Sequence, residues 1–173
     1  MLANQVADPL AVIFNESLAT GNLPEDWKTA VVTPIFKHGG KADPGNYRPV
    51  SLTSVPCKVL ERILRRKICA HLTDHNLINS RQHGFLPGRS CLSNLLGFLD
   101  EVADRLDRGE SVEVIYMDFK KAFDSVNHRL LIAKLHAYGV AGNICRWIQE
   151  FLNARTFRVR VRDTLSDVAT VSS

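Results

Sequence analysis

Asp118 closes an apolar run, Val112 to Met117, and that position is where a carboxylate can do chemistry. A strand buried on both faces reads as near-continuous apolar sequence, and its C-terminal end opens onto the rim of a sheet, where ligands collect. Oxygens left free there suit a hard cation such as Mg²⁺. Taken alone, the same residue reads first as a cap for the turn or helix that follows. Cations form the second group. Lys37 and Arg48 flank a Gly- and Pro-rich loop, and Arg158, Arg160 and Arg162 alternate with Phe157, Val159 and Val161. In a strand, that alternation puts the arginines on one face, either as a track for a nucleic-acid backbone or as a solvated outer surface. Arg62, Arg65, Arg66 and Lys67 make a basic helix face, which by itself is ordinary solvated surface. His71 and His75 have helical spacing for a metal pair, but the Glu of a zinc-protease helix is missing between them, so they read as surface histidines.

The elements that must hold these groups follow from periodicity. Val6, Leu10, Ile13, Phe14 and Leu18 recur at helical spacing and stop at Gly21. Residues 30–36 read as a strand in which Pro34 favours an edge or a bulge. Residues 38–48 are loop, and residues 50–55 form a second extended segment that can pair with the first as a hairpin. Pro56 opens a helix whose apolar face is Val59, Leu60, Ile63, Leu64, Ile68 and Leu72. Ser90 stands as N-cap for the next helix, which Gly109 closes. Helices over 128–138 and 143–152 and a strand over 156–162 complete the order, and residues 168–173 read as an interrupted strand. This is a mixed α/β or α+β domain.

Composition bounds the class. With 173 residues, 45% hydrophobic and 23% charged, the chain is long enough for one globular domain and too apolar to be disordered. No apolar run approaches the length of a membrane span, and Met1 to Phe14 has no basic leader, so no secretory signal is expected there. The net charge of +4 permits a polyanionic partner without requiring one. Cys57, Cys69, Cys91 and Cys145 lack metal-site spacing, which points to free thiols and to an intracellular setting, nucleus or cytoplasm.

Three ordered blocks carry a resemblance. The run Tyr116-Met117-Asp118-Phe119-Lys120-Lys121-Ala122-Phe123-Asp124-Ser125-Val126 resembles the first catalytic motif of reverse transcriptases of the non-LTR retrotransposon and group II intron type. The resemblance implies that Asp118 binds both catalytic metals, that the Phe119 carbonyl assists one of them, and that Phe123 packs on the nucleotide sugar with Ala122 beside it. A bulky ring at that place leaves no room for a 2′-hydroxyl and so selects deoxynucleotides. Asp124 reads as a turn or helix cap. The segments Val31 to Lys37 and Asn46-Tyr47-Arg48-Pro49-Val50-Ser51-Leu52 are similar to the fingers hairpin of that family, where a Lys and an Arg close over the incoming triphosphate; Lys37 and Arg48 take those places. A guanidinium fork and a compact ammonium suit phosphate. Gln82 to Ser90 is similar to the block before the palm helix, so Gln82, Gly84, Phe85 and Arg89 are expected along template and primer, with Arg158 and Arg160.

The resemblance runs from about residue 10 to the end. It implies a partial right-hand polymerase fold, a single incomplete domain over 1–173. Residues 1–110 would be fingers and early palm, and 111–173 the palm segment with the first catalytic motif, with helices packed on a small mixed or antiparallel sheet. Implied cofactor and partners are two Mg²⁺ ions, an RNA template, a DNA primer and deoxynucleoside triphosphates; no membrane is involved. The family's Gly-x-Pro-Gln-Gly block and aromatic-x-Asp-Asp hairpin do not occur in these residues. Since two-metal transfer needs carboxylates from both places, this chain alone is expected not to polymerise. A partnerless Val112–Met117 strand is also expected to leave an apolar edge that weakens folding. The alternative is an inactive remnant that acts at most as a nucleic-acid-binding module. A phosphatase-type hydrolase with Asp118 as nucleophile is disfavoured, because Lys120 stands where a second Asp would be needed.

Overall fold

The computed structural model describes residues 2–119 and 122–171. They fall into two compact units, one formed by residues up to Ala70 together with Phe123 onward, the other by His71–Ala122. In chain order the elements are α1 (Leu2–Thr20), α2 (Glu25–Lys28), β1 (Thr29–Phe36), a 3₁₀ turn (Pro44–Asn46), β2 (Tyr47–Leu52), α3 (Val55–Asp74), α4 (Cys91–Asp107), α5 (His128–Ala137), α6 (Gly142–Leu152), β3 (Thr156–Val161), β4 (Thr164–Leu165) and β5 (Ala169–Thr170). A mixed α/β fold around a small mixed sheet is what the periodicity predicts. The short helix α2, the 3₁₀ turn and the two-residue strand β4 are additions.

The first unit has an aromatic core. Phe14, Trp27, Cys57, Leu60, Leu64, Trp147 and Phe151 are buried together. Trp27 meets Phe14 and Trp147 edge-on at 6.0 and 6.5 Å between ring centroids, and Phe151 stacks on Trp147 at 5.1 Å. Such geometries match the ring quadrupoles and add to the burial of apolar area. The indole N–H needs a partner when buried: Trp147 Nε1 donates to Ser17 Oγ at 3.0 Å, and Ser17 in turn donates to the Asn22 carbonyl at 2.7 Å. This relay fixes α6 against the C-terminal end of α1, where Gly21 takes the left-handed conformation (φ +80°) that ends the helix.

The sheet runs β2-β1-β3-β4, with β5 also on β3. β1 and β2 are antiparallel, the expected hairpin, with Val31 opposite Leu52 and Ile35 opposite Arg48. β1 and β3 are parallel, with Val31 opposite Arg158. The parallel β1–β3 pairing ends at Val32, so at Pro34 only the β2 side of the strand is paired among the described residues, opposite Pro49, and its other side is open as the edge expectation requires. Lys37 and Asn46 form a hydrogen-bonded pair, so Pro34 and Pro49 meet at a non-hydrogen-bonded position of the ladder, where neither would donate to the other and the missing N–H groups cost no β1–β2 bond.

The second unit carries α4, started by a reciprocal capping box. Ser90 Oγ accepts from the Ser93 amide at 3.1 Å, and Ser93 Oγ accepts from the Ser90 amide at 2.8 Å. The helix forms as its periodicity predicts, yet none of its residues is buried: Leu92, Leu95, Leu96, Leu99 and Leu106 stay exposed.

One expectation fails here. Val112–Met117 is not a buried strand. It has no helix or strand assignment, and Ile115, Tyr116 and Met117 are 82%, 83% and 91% exposed. A strand exists only through a ladder partner, and none of the pairings among β1–β5 includes residues 112–117. No described residues pair with this segment; the Tyr116 ring, 6.2 Å from Phe98, is its main anchor.

Candidate nucleic-acid interface

The register of β1 decides where the predicted cations stand. Opposed residues share a face, and alternate residues return to it. One face of the sheet therefore carries Val31, Thr33, Ile35 and Lys37 from β1 and its continuation, Arg48, Val50 and Leu52 from β2, and Thr156, Arg158 and Arg160 from β3. A hydrogen bond at 3.1 Å between Thr29 Oγ1 and Thr156 Oγ1, across the β1–β3 pairing, confirms the common side. Lys37, Arg48, Arg158 and Arg160 are all exposed. They make no ion pair among the described residues. No Asp or Glu occurs on that face among the described residues. With strands about 4.8 Å apart and a rise of about 3.3 Å per residue, the backbones of Arg48 and Arg158 lie roughly 16 Å from each other. The opposite face is packed at its start, where Ala30 is buried.

The hairpin is stiffened from within. The Lys37 amide donates to the Asn46 carbonyl at 2.8 Å, prolonging the β1–β2 ladder past Phe36. Asp43 Oδ1 accepts from the Gly45 amide at 2.8 Å, Asn46 Nδ2 donates to the Gly40 carbonyl at 2.9 Å, and the Tyr47 hydroxyl donates to the Lys41 carbonyl at 2.8 Å. On the reverse face Phe36 and Tyr47 meet edge-on at 5.4 Å. Lys37 and Arg48 thus become diagonal neighbours on one side of a loop that spends its own polar groups on itself.

The remaining predicted residues are placed differently. Arg162 leaves the strand face: it sits in the two-residue turn between β3 and β4 with φ +55°, because Val161 already pairs with Thr164. Arg89 is engaged within its own loop, its Nη1 donating to the carbonyls of Ser80 and of Gln82, the latter at 2.9 Å. Gln82 Nε2 donates to the Gly84 carbonyl at 3.0 Å, and Phe85 is 77% exposed with φ +64°. Arg89 therefore closes the 80–89 loop. Asp118 is exposed and belongs to the second unit with Phe119 and Ala122, while Phe123, 79% exposed, begins the return to the first. Lys120 and Lys121 lie outside the described residues. Asp124 lies in a turn, one of its two expected places, and the cap of α5 falls to Asn127, whose Oδ1 accepts from the Leu130 amide at 3.0 Å.

As for metal, Mg²⁺ takes one or two protein carboxylates and completes its shell with water and phosphate. Among the described residues no three His, Cys, Asp or Glu side chains converge. Asp118 can supply one carboxylate and the Phe119 carbonyl one further oxygen; these residues do not by themselves complete a two-metal site. Sequence reasoning also missed that β3 runs parallel to β1. Nothing local in residues 156–161 signals a partner more than a hundred positions away.

The sheet face is thus cationic, with no Asp or Glu among its described residues. Comparison with known proteins places the chain in a family. Residues 35–170 match the family described as reverse transcriptase (RNA-dependent DNA polymerase). The chain is 30% identical over 164 residues to the probable RNA-directed DNA polymerase from transposon BS of Drosophila melanogaster, covering 91% of this chain and 17% of that protein. It is 27% identical over 174 residues to the RNA-directed DNA polymerase from mobile element jockey of the same species, covering 100% and 19%. To the retrovirus-related Pol polyprotein from type-1 retrotransposable element R2 of Popillia japonica it is 28% identical over 144 residues, covering 83% and 20%. The chain belongs to the reverse transcriptase family and is a piece of the non-LTR retrotransposon type of RNA-directed DNA polymerase domain. It spans about a fifth of the length of these relatives or less.

Proposed function

We propose that this chain is the fingers and first palm segment of a polymerase that copies an RNA template by adding deoxynucleotides to a DNA primer. The observation that carries the reading is the single sheet face holding Lys37, Arg48, Arg158 and Arg160 without a carboxylate. In this reading Arg48 offers its guanidinium fork to the phosphates of the incoming nucleotide, and Lys37 adds a compact charge beside it. Arg158 and Arg160 follow the template–primer backbone, as phosphate contacts that position without reading sequence. Phe123 and Ala122 lie against the sugar, and Gln82, Gly84, Phe85 and Arg89 line the template side.

Asp118 is the carboxylate this segment contributes to two catalytic Mg²⁺ ions, with the Phe119 carbonyl beside it. When bound, such ions activate the primer hydroxyl and steady the leaving pyrophosphate. The other carboxylates come from outside these residues. The test uses the longer polymerase that this reading requires. Asp118→Asn keeps size and hydrogen bonding but removes the charge, and Mg²⁺-dependent primer extension on an RNA template is expected to fall about a thousandfold or more. Undiminished extension by the variant would overturn the assignment.

A further inference from the structure

Helix α3 carries a charge pattern that the sheet face does not explain. Lys58, Arg62 and Arg66 follow one another at four-residue spacing and are all exposed, while Cys57, Leu60 and Leu64 face the core. At 3.6 residues per turn the three cations form one narrow stripe about 12 Å long, with Arg65 on its flank. Like charges at this spacing weaken a helix. The only acidic residues of α3 are Glu61 and Asp74. Glu61 is half-buried and accepts from Cys57 Sγ at 3.4 Å, so it is turned away from the stripe. Lys58, Arg62 and Arg66 make no ion pair among the described residues. Helix α4 shows the opposite habit: its Arg105 pairs with Glu101, and Arg108, which caps it, pairs with Asp104.

We propose that Lys58, Arg62 and Arg66 form a second nucleic-acid contact, separate from the sheet face, that follows the phosphate backbone of a duplex. Neighbouring cations of the stripe lie about 6 Å apart along the helix axis, so the stripe can set one cation on each of up to three successive phosphates of one strand. A duplex fits better than a single strand because α3 contains no Phe, Tyr or Trp on which unpaired bases could stack. The stripe is straight and exposed, and the ligand that all three cations can share at even spacing is the phosphate backbone. This inference stands whether or not the sheet face binds nucleotide.

The test is fluorescence anisotropy of the chain with blunt-ended RNA and DNA duplexes of one sequence, between 50 and 200 mM salt. In the triple variant K58Q/R62Q/R66Q the slope of log affinity against log salt should shrink by about 2.7, three contacts at about 0.9 each, so the gain in affinity on dilution shrinks about 40-fold. Loss with both duplexes means the shared backbone is the ligand; loss with RNA alone means that A-form geometry is. An unchanged slope with both duplexes overturns the proposal. So does an equal loss of binding to oligo(U), or a loss confined to polyglutamate, which would make the stripe a docking site for an acidic protein. The variant's melting temperature should hold or rise, since repulsion has been removed. If it falls, the charge-conserving variant K58R/R62K/R66K must keep the wild-type slope for the proposal to stand.

Discussion

Neutralising the sheet face gives the most direct reading of what this surface does. In the variant K37Q/R48Q/R158Q/R160Q every changed side chain is exposed and none is in an ion pair among the described residues, so the fold should be indifferent to the change. Each cation that sits on a phosphate displaces roughly one counterion, and four such contacts contribute about 3.6 to the slope of log affinity against log salt. Between 200 and 50 mM salt that is a factor of about 150 in affinity for an RNA template–DNA primer, and the variant should lack it. The spacing of about 16 Å between Arg48 and Arg158 is too wide for one phosphate group, so the effects should separate. Arg158→Gln with Arg160→Gln should flatten the salt dependence of template–primer binding. Lys37→Gln with Arg48→Gln should leave most of that dependence and weaken binding of a nucleoside triphosphate. Titration by anisotropy, with circular dichroism to confirm folding, measures all of this. If the fourfold variant keeps the wild-type slope, the face is a solvated surface and the nucleic acid binds elsewhere.

The core and its thiols supply two more expectations. Trp147→Phe removes the Nε1 hydrogen bond and part of a stacked, buried ring; about 1 kcal/mol for the bond and about 1–2 for lost packing give a loss of roughly 2–3 kcal/mol in urea unfolding. Ser17→Ala should cost about 1–3 because it strands the indole N–H, and the double variant should show about 1 kcal/mol of coupling; strict additivity would mean the bond contributes nothing. Burial, with the nearby Glu61 carboxylate, pushes the Cys57 thiol up to about 12 from its ordinary value near 9. A raised folded-state pKa means the folded chain holds that proton longer than the unfolded chain does. The stability it contributes is complete below pH 9 and is lost as pH rises towards 12, by up to about 1.4 kcal/mol per pH unit. Cys57→Ala should flatten that part of the profile between pH 9 and 11, and an identical profile in wild type and variant would refute the cause.

How much of this could be read from the residues varies with the range of the physics involved. Helices α1, α3, α4, α5 and α6 announce themselves because their apolar spacing and stop signals are local; Ser90 was legible as a cap because its partner is three positions on. The β1–β2 hairpin was legible for the same reason, with only a loop between its strands. The parallel β1–β3 pairing was not, since it joins segments with four helices between them and leaves no mark on either. Val112–Met117 shows the reverse error. Its composition encodes burial, which depends on what covers it, and no strand or layer among the described residues does so. The motif blocks placed Asp118, Lys37 and Arg48 by type and order, but only the register shows that Lys37 and Arg48 share a face with Arg158 and Arg160.

That shared face is best judged by how the chain treats its other charges. On and around α4 the cations have carboxylates within reach: Arg105 and Arg108 pair with Glu101, Asp104 and Glu110, and Arg81 also reaches Glu101. Exposed pairs of this kind contribute little to stability. They do show that around α4 acids are set beside bases where solvent is the only other partner. The sheet face has four cations and no acid. Two like charges about 8 Å apart in water repel by about 0.5 kcal/mol, a small cost when isolated but one that recurs at each neighbour. A surface that accumulates this repulsion and omits the carboxylates used elsewhere in the same chain is electrostatically incomplete. A polyanion completes it, so the charge map makes a nucleic-acid ligand the economical reading even before Asp118 is considered. In the proposed function Asp118 bears on a different question: whether a nucleic acid would be merely held or extended.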